Sequence, residues 1–318
     1  MPFAPIALFA FRRPRHVGLA LRSLMLNPEL AASPIHIYCD GPRNAADREA
    51  VDAARKVVRE LAPAHATIIE RPANLGLDRS VVAGVSELCQ RHGRVIVLED
   101  DLEVAPDFLR YMNAALDQYA DDERVMQVSG YQFPVEIGGD NDAVFLPYTT
   151  SWGWATWTRA WNHFDHSAPA YAGLKGNVAL RRAFDLDGSF PYFRMLATNL
   201  KKPVPAWDIV FYLTVFERQA RVLHPARSKV VNNGFDGSGM TCGKYAVSQT
   251  ALSTDLEACR FPATSAINEQ AFAAVKAYLG NEYRFTTQMR RKLNAYLQDS
   301  SSTSRVDPAS PNTSTPDQ

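Results

Sequence analysis

Val95-Ile96-Val97-Leu98-Glu99-Asp100-Asp101 is the stretch on which the reading of this chain turns. Four apolar residues, three of them β-branched, run without interruption into three carboxylates. So short a run, apolar at every position, fits a strand covered on both faces, as in a parallel sheet. The carboxylates then stand at its carboxyl end, where open α/β sheets bind ligands. Three acids side by side repel one another and lose hydration if buried. A divalent cation relieves both problems. Mg²⁺ and Mn²⁺ take hard oxygen ligands, often only one or two from protein with phosphates supplying others. The triplet therefore suits a cation shared with a diphosphate. The competing reading is a solvated acidic turn at the start of the next helix, where negative charge is favoured. Glu103 and Asp107 are better placed for that role.

Working outward, strands alternate with helices. Ile6 to Phe9, Ile35 to Tyr38, Thr67 to Ile69 and Val125 to Val128 are further short strands. Between them, Val17, Ala20, Leu21 and Leu24 share one helical face, as do Ala50, Ala54, Val57 and Leu61. Leu77 to Arg91 reads as a helix with Val82, Val85 and Cys89 inward. Pro106 suits the first turn of another, with Phe108, Met112, Ala115 and Tyr119 on its core side. This order predicts an α/β fold, a mostly parallel central sheet flanked by helices. Asp40, before the turn residues Gly41 and Pro42, also falls at a strand end.

Beyond about Asn141 the pattern changes. Aromatic residues crowd Tyr148 to Phe164, and a helix is expected from Trp207 to Gln219. Asn232 to Gly243 is glycine-rich and reads as a mobile loop. Helices near Glu269 to Leu279 and Thr286 to Leu297 close the fold. Residues 299–318 are almost all Ser, Thr, Pro and Asp, a composition that does not fold by itself. The expected organisation is one domain over 1–298, with halves meeting near residue 130, and a disordered tail.

The 318 residues are 46% hydrophobic and carry 34 basic against 34 acidic side chains, so the basic excess of a nucleic-acid binder is missing. Cys39, Cys89, Cys242 and Cys259 have no zinc-type spacing and read as free thiols of a reducing compartment. No stretch is apolar for long enough to span a bilayer, and the apolar start runs directly into Arg12 and Arg13 rather than following a basic segment. A cytoplasmic protein, with peripheral membrane contact open to it, is the expectation.

The triplet within VIVLEDDLEVAPDFLRYMNAAL (95–116) resembles the Glu-Asp-Asp form of the metal motif of GT-A glycosyltransferases, specifically the N-acetylglucosaminyltransferase I-like group and its family 2-like bacterial relatives. PIALFAFRRPRHVGLALRSL (5–24), NLGLDRSVVAGV (74–85) and SWGWATWTRAW (151–161) extend the likeness over roughly residues 3 to 245. The resemblance implies the GT-A (nucleotide-diphospho-sugar transferase) fold, a nucleotide-sugar donor, commonly UDP-linked, and Mn²⁺ or Mg²⁺. It places Asp101 on the metal, Asp100 near the ribose, and Glu99 as a support of the site or a contact to the sugar. Arg12, Asp40 and Arg79 fall where such folds contact the nucleotide. The acceptor implied is a glycan or lipid-linked hydroxyl, as in polysaccharide assembly at a cell envelope. One departure stands out. Where relatives carry a histidine near the end of the glycine-rich loop, GFDGSGMTCG (234–243) has Thr241 and Cys242; His224 is the nearby substitute.

Inverting sugar transfer needs a carboxylate to take the acceptor proton. Asp208 is the candidate, at the expected start of a helix in the region where inverting GT-A enzymes place their base. An N-cap is the plain alternative for an Asp there. Asp236, on the glycine-rich loop, is the reserve. That loop reads as a lid over the donor. Trp152 and Trp154 are candidates for lining the acceptor or donor pocket, because sugars stack on aromatic faces, although tryptophans are more often core. Two other functions compete: a GT-A-like binding module without turnover, and a metal-dependent nucleotidyltransferase. The latter usually shows a glycine-rich loop with a lysine after the first strand, which Phe9 to Arg15 lacks.

Overall fold

The computed structural model describes residues 2–238, 252 and 259–283. Thr241, Cys242, the expected helix at 286–297 and the tail at 299–318 lie outside the described residues.

The strands read from sequence form one side of a single sheet. β1 (Ile6–Ala10), β2 (Ile35–Cys39), β3 (Thr67–Glu70) and β4 (Arg94–Glu99) pair in parallel in the order β3-β2-β1-β4. Their side chains divide by the two-residue period of a strand. Ile6, Leu8, Ile96 and Leu98 face α1 (Pro14–Leu24), α2 (Arg48–Leu61) and α4 (Phe108–Gln118). Ala7, Phe9, Val95 and Val97 face α3 (Leu77–His92) and α9 (Trp207–Glu217). The central strands β1, β2 and β4 are buried almost throughout because both faces are covered, whereas β3 at the sheet edge ends on the exposed Thr67 and Glu70.

The other side of the sheet was largely hidden in the sequence. β6 (Val125–Ser129), β7 (Ala143–Leu146), β8 (Trp154–Trp157) and β9 (Arg221–Pro225) extend it in the order β4-β8-β6-β9-β7. β8 runs antiparallel to both β4 and β6, β9 is parallel to β6, and β7 is antiparallel to β9. The sheet is therefore parallel in its first half and mixed in its second. A separate ribbon pairs β5 (Leu102–Val104) with β10 (Val230–Asn232). Because β5 directly follows the acidic triplet, the ribbon returns the loop after Asn232 across Asp101.

Helix faces are rotated slightly from expectation. α2 buries Val51, Ala54 and Val58, and α3 buries Val81, Val85, Leu88 and Cys89. The α4 helix begins at Phe108, two residues after Pro106, which the sequence had suggested for the first turn. Small helices α5 (Thr158–Trp161), α6 (Tyr171–Gly176), α7 (Val178–Phe184) and α8 (Tyr192–Asn199) join α10 (Glu269–Glu282). Except for α5, which packs on the sheet, they form a third apolar cluster with α9 and β7. Asn268 caps α10 by accepting from Ala271 N–H at 2.9 Å.

Candidate functional site

Asp100 and Asp101 sit in the turn after β4, 4% and 8% exposed. Their partner is Arg13, at the N-cap of α1. One guanidinium nitrogen, Nη2, donates to Asp100 Oδ1 and, at 2.9 Å, to Asp101 Oδ2. Phe11 N–H adds a bond to Asp100 Oδ2 at 3.3 Å. Burial works against the Arg13 charge, but the two carboxylates outweigh it and raise its proton affinity. Burial raises the pKa of Asp100, against the opposing pull of Arg13. Glu99 is pushed well above the ordinary carboxylate range, first by burial, then by the charges of Asp101 and Asp100, with Arg13 opposing and Asp208 adding.

The last contribution ties two distant segments together. Asp208, in the first turn of α9, stands close enough for its charge to act on Glu99. Burial raises the Asp208 pKa, aided by Asp78; a bond from Ile209 N–H at 2.7 Å and Lys202 pull the other way. Asp78 lies in the first turn of α3, and its Oδ1 accepts from Trp207 N–H at 2.9 Å. One helix thus caps the next, and the two N-termini meet beside the strand ends. The N-cap alternative for Asp208 is only partly met, since its bond goes to the adjacent residue while Asp78 satisfies Trp207.

The loop after β10 closes over Asp101. Asn233 N–H donates to Asp101 O at 2.8 Å. A Cβ at Gly234 would lie 2.3 Å from Asp101 Oδ2, so only glycine permits this approach. His16 Nε2 reaches Asn233 O and Asp236 Oδ2, each at 3.2 Å. Asp236 is exposed and accepts from Ser238 N–H at 2.9 Å. The half-buried Trp152 packs edge-on against Tyr131 and Phe235, with ring centroids 4.4 and 5.5 Å apart.

Asp40 is also committed to local structure. It accepts from Leu75 N–H and Gly76 N–H at 2.9 Å each, and from Asn74 Nδ2 at 2.9 Å, which fixes the loop entering α3. Arg12 pairs with Asp47 at 2.8 Å, and Arg79 is exposed at the start of α3.

Several expectations need correction. His224 is not available as a ligand. It is fully buried, its two nitrogens 3.2 and 3.0 Å from the carbonyl oxygens of Tyr131 and Tyr148, and burial lowers its pKa to about 4. Trp154 lines no pocket. Its ring is inaccessible and stacks on Trp207 at 4.9 Å, so it supports α9 from behind. Asp107 and Glu103 do not cap α4: Asp107 pairs with Lys229, and Glu103 accepts from Asn233 Nδ2 at 2.5 Å. Cys39, Cys89 and Cys259 are free thiols, as expected.

Arg13, His16 and Asp78 were not singled out from sequence, and Gly234 was read only as one glycine of the lid loop. Arg13 follows Arg12 in irregular backbone beyond β1, where no periodicity distinguishes two adjacent arginines. Among the described residues no group of three His, Cys, Asp or Glu side chains could hold a metal ion unaided. Two hard carboxylates beside a loop that only glycine allows nevertheless fit a cation whose remaining ligands come from phosphate and water. Among the described residues no helix is long and apolar enough to cross a membrane.

An α/β sheet with an acidic strand end and a half-buried helix-start aspartate nearby defines a class of candidate ligand site, against which the comparisons are set. The GNT-I family model matches residues 79–140, which include the triplet. Over 156 residues the chain is 26% identical to an alpha-1,3-mannosyl-glycoprotein 2-beta-N-acetylglucosaminyltransferase of Arabidopsis thaliana, a match covering 46% of this chain and 34% of that protein. The match thus spans about a third of the relative's length. The chain is similar to this family. Among solved structures, a mannosyltransferase from Pyrobaculum calidifontis in complex with GDP-Man and Mn²⁺ aligns over 95% of this chain and 87% of its own, at 11% identity and a TM-score of 0.37. A 4-diphosphocytidyl-2C-methyl-D-erythritol synthase from Anaerococcus prevotii aligns over 72% and 90%, at 10% identity and 0.36. Likeness of that degree fixes no activity.

Proposed function

We propose that the chain is a GT-A-type glycosyltransferase that moves a sugar from a nucleoside-diphosphate donor, UDP-linked, to a hydroxyl of a glycan or lipid-linked acceptor with inversion. The observation that carries this is the meeting of Asp208 with the Glu99-Asp100-Asp101 strand end, two acidic elements over a hundred residues apart in sequence. The similarity to the GNT-I family over residues 79–140 supports it.

In this reading Asp208 is the general base. Its pKa is raised, chiefly by burial, which makes its carboxylate a stronger base than that of an exposed aspartate. The acceptor hydroxyl gives its proton to the Asp208 carboxylate. The acceptor oxygen bonds to the anomeric carbon as the bond from that carbon to the diphosphate oxygen breaks, and the nucleoside diphosphate departs. Asp101, with Asp100 beside it, would hold Mn²⁺ or Mg²⁺, which when bound neutralises the charge of the diphosphate. Asp100 faces the ribose and Glu99 the sugar. Arg12, Arg79 and the loop pinned by Asp40 form the nucleotide end. Trp152 and Asp236 border the cleft on the side of the Gly234 loop.

The experiment is a panel of nucleotide sugars incubated with the protein, with and without Mn²⁺. Metal-stimulated release of nucleoside diphosphate is expected. Pyrophosphate release in a parallel assay supplied with a nucleoside triphosphate and a sugar 1-phosphate would point instead to nucleotidyl transfer, and donor binding without turnover under any condition to a binding module.

A further inference from the structure

Arg13 holds the position a cation would want. Its Nη2 bridges Asp100 and Asp101, and the Asp101 oxygen it uses is the one that faces Gly234. The Arg13 side chain is 16% exposed, so water screens this contact only weakly. A divalent ion arriving alone would therefore meet a fixed positive charge on the same carboxylate oxygen. An ion arriving with a diphosphate would not, because the added negative charge offsets both cations.

We infer that Arg13 is a gating residue: it occupies the acidic pair in the free protein and makes cation binding at Asp101 conditional on the nucleotide diphosphate. This rests on the reading of Asp101 as a metal ligand and goes beyond it. Arg13 and the cation compete for one oxygen, so cation and nucleotide affinities are coupled, and by linkage the coupling is the same in both directions. The free protein holds little metal at concentrations that saturate the nucleotide complex. The arrangement also protects two buried carboxylates from being unpaired whenever the site is free.

The test uses Mn²⁺ alone and Mn²⁺ with UDP, read by electron paramagnetic resonance of free Mn²⁺ and by calorimetry. Wild type, Arg13→Gln, Arg13→Lys and Asp101→Asn are compared, with folding checked by circular dichroism. Wild type is expected to bind Mn²⁺ at least tenfold more tightly when UDP is present. Arg13→Gln should bind Mn²⁺ alone at least tenfold more tightly than wild type, with the UDP effect reduced, while Arg13→Lys keeps the wild-type pattern. If Arg13→Gln melts early, the titration is run well below its melting temperature as read by circular dichroism, where the same gain is expected. Equal or weaker Mn²⁺ binding by folded Arg13→Gln, with Asp101→Asn inactive in binding, would overturn the gate and leave Asp101 as ligand. Binding unaffected in Asp101→Asn would overturn both.

Discussion

Asp208 shows most clearly how a single residue's surroundings set its chemistry. Burial and the nearby Asp78 raise its pKa, so its base form is lost at higher pH than for an exposed aspartate. The base must be ionised to act, so donor-to-acceptor transfer should fall as pH drops through that raised value, with an acid limb displaced upward from the ordinary aspartate range. Asp208→Asn should retain nucleotide binding and lose transfer by a factor of about 10²–10⁴, the usual contribution of a positioned base. Turnover within a few-fold of wild type would remove Asp208 from that role. The aspartate was legible in the sequence because it opens an apolar helix after Pro203 and Pro205. Arg13 was not, since choosing between Arg12 and Arg13 depends on which way irregular backbone turns after Ala10. In the fold Arg12 goes to Asp47 and Arg13 to the triplet.

At the scale of elements, the site depends on close approaches between loops. Gly41 lies so near the next strand's exit that an added Cβ would stand 2.5 Å from the Ala73 carbonyl carbon. Backbone must move to admit it, so Gly41→Ala should destabilise the fold by about 1–3 kcal/mol, measurable by urea unfolding. A stability equal to wild type would mean the Asp40-anchored loop is looser than described. Asp78→Ala removes the acceptor for Trp207 N–H at the head of α9. It should cost about 1 kcal/mol of stability and lower turnover while leaving nucleotide affinity unchanged, because it disturbs Asp208 and not Asp101. The parallel strands and their helices could be read from periodicity alone. β5 and β10 could not: each has three residues, too few for alternation to register, and their pairing joins segments more than a hundred residues apart. β8 was concealed for another reason. Trp154 to Trp157 lies within an aromatic run that resembles a sugar-binding surface, yet all four residues are buried between β4 and β6.

For the molecule as a whole, one mixed sheet carries the site at its carboxyl edge and is covered on both faces. His224 lies in its second half with both nitrogens against carbonyl oxygens. Burial lowers its pKa from 6.5 to about 4, so the fold favours the neutral ring. That contribution is fully present above about pH 6.5 and is lost as pH falls toward 4, amounting to about 3 kcal/mol. Unfolding free energies should decline over that window, and His224→Gln should flatten the decline; an unchanged slope in the variant would assign the acid sensitivity elsewhere. The alternation of the first half made the sheet and the acidic strand end readable from sequence. Only the folded chain shows Arg13 and Gly234 brought to that end, Arg13 from the backbone just after β1 and Gly234 through the β5–β10 ribbon. The most direct measurement is calorimetric titration of UDP into wild type and Asp101→Asn, with and without Mn²⁺. Binding that requires Mn²⁺ in wild type and disappears in the folded variant is the predicted result. Equal UDP affinity in both proteins, whether or not Mn²⁺ is present, would contradict the assignment of the acidic strand end to a cation-bridged diphosphate.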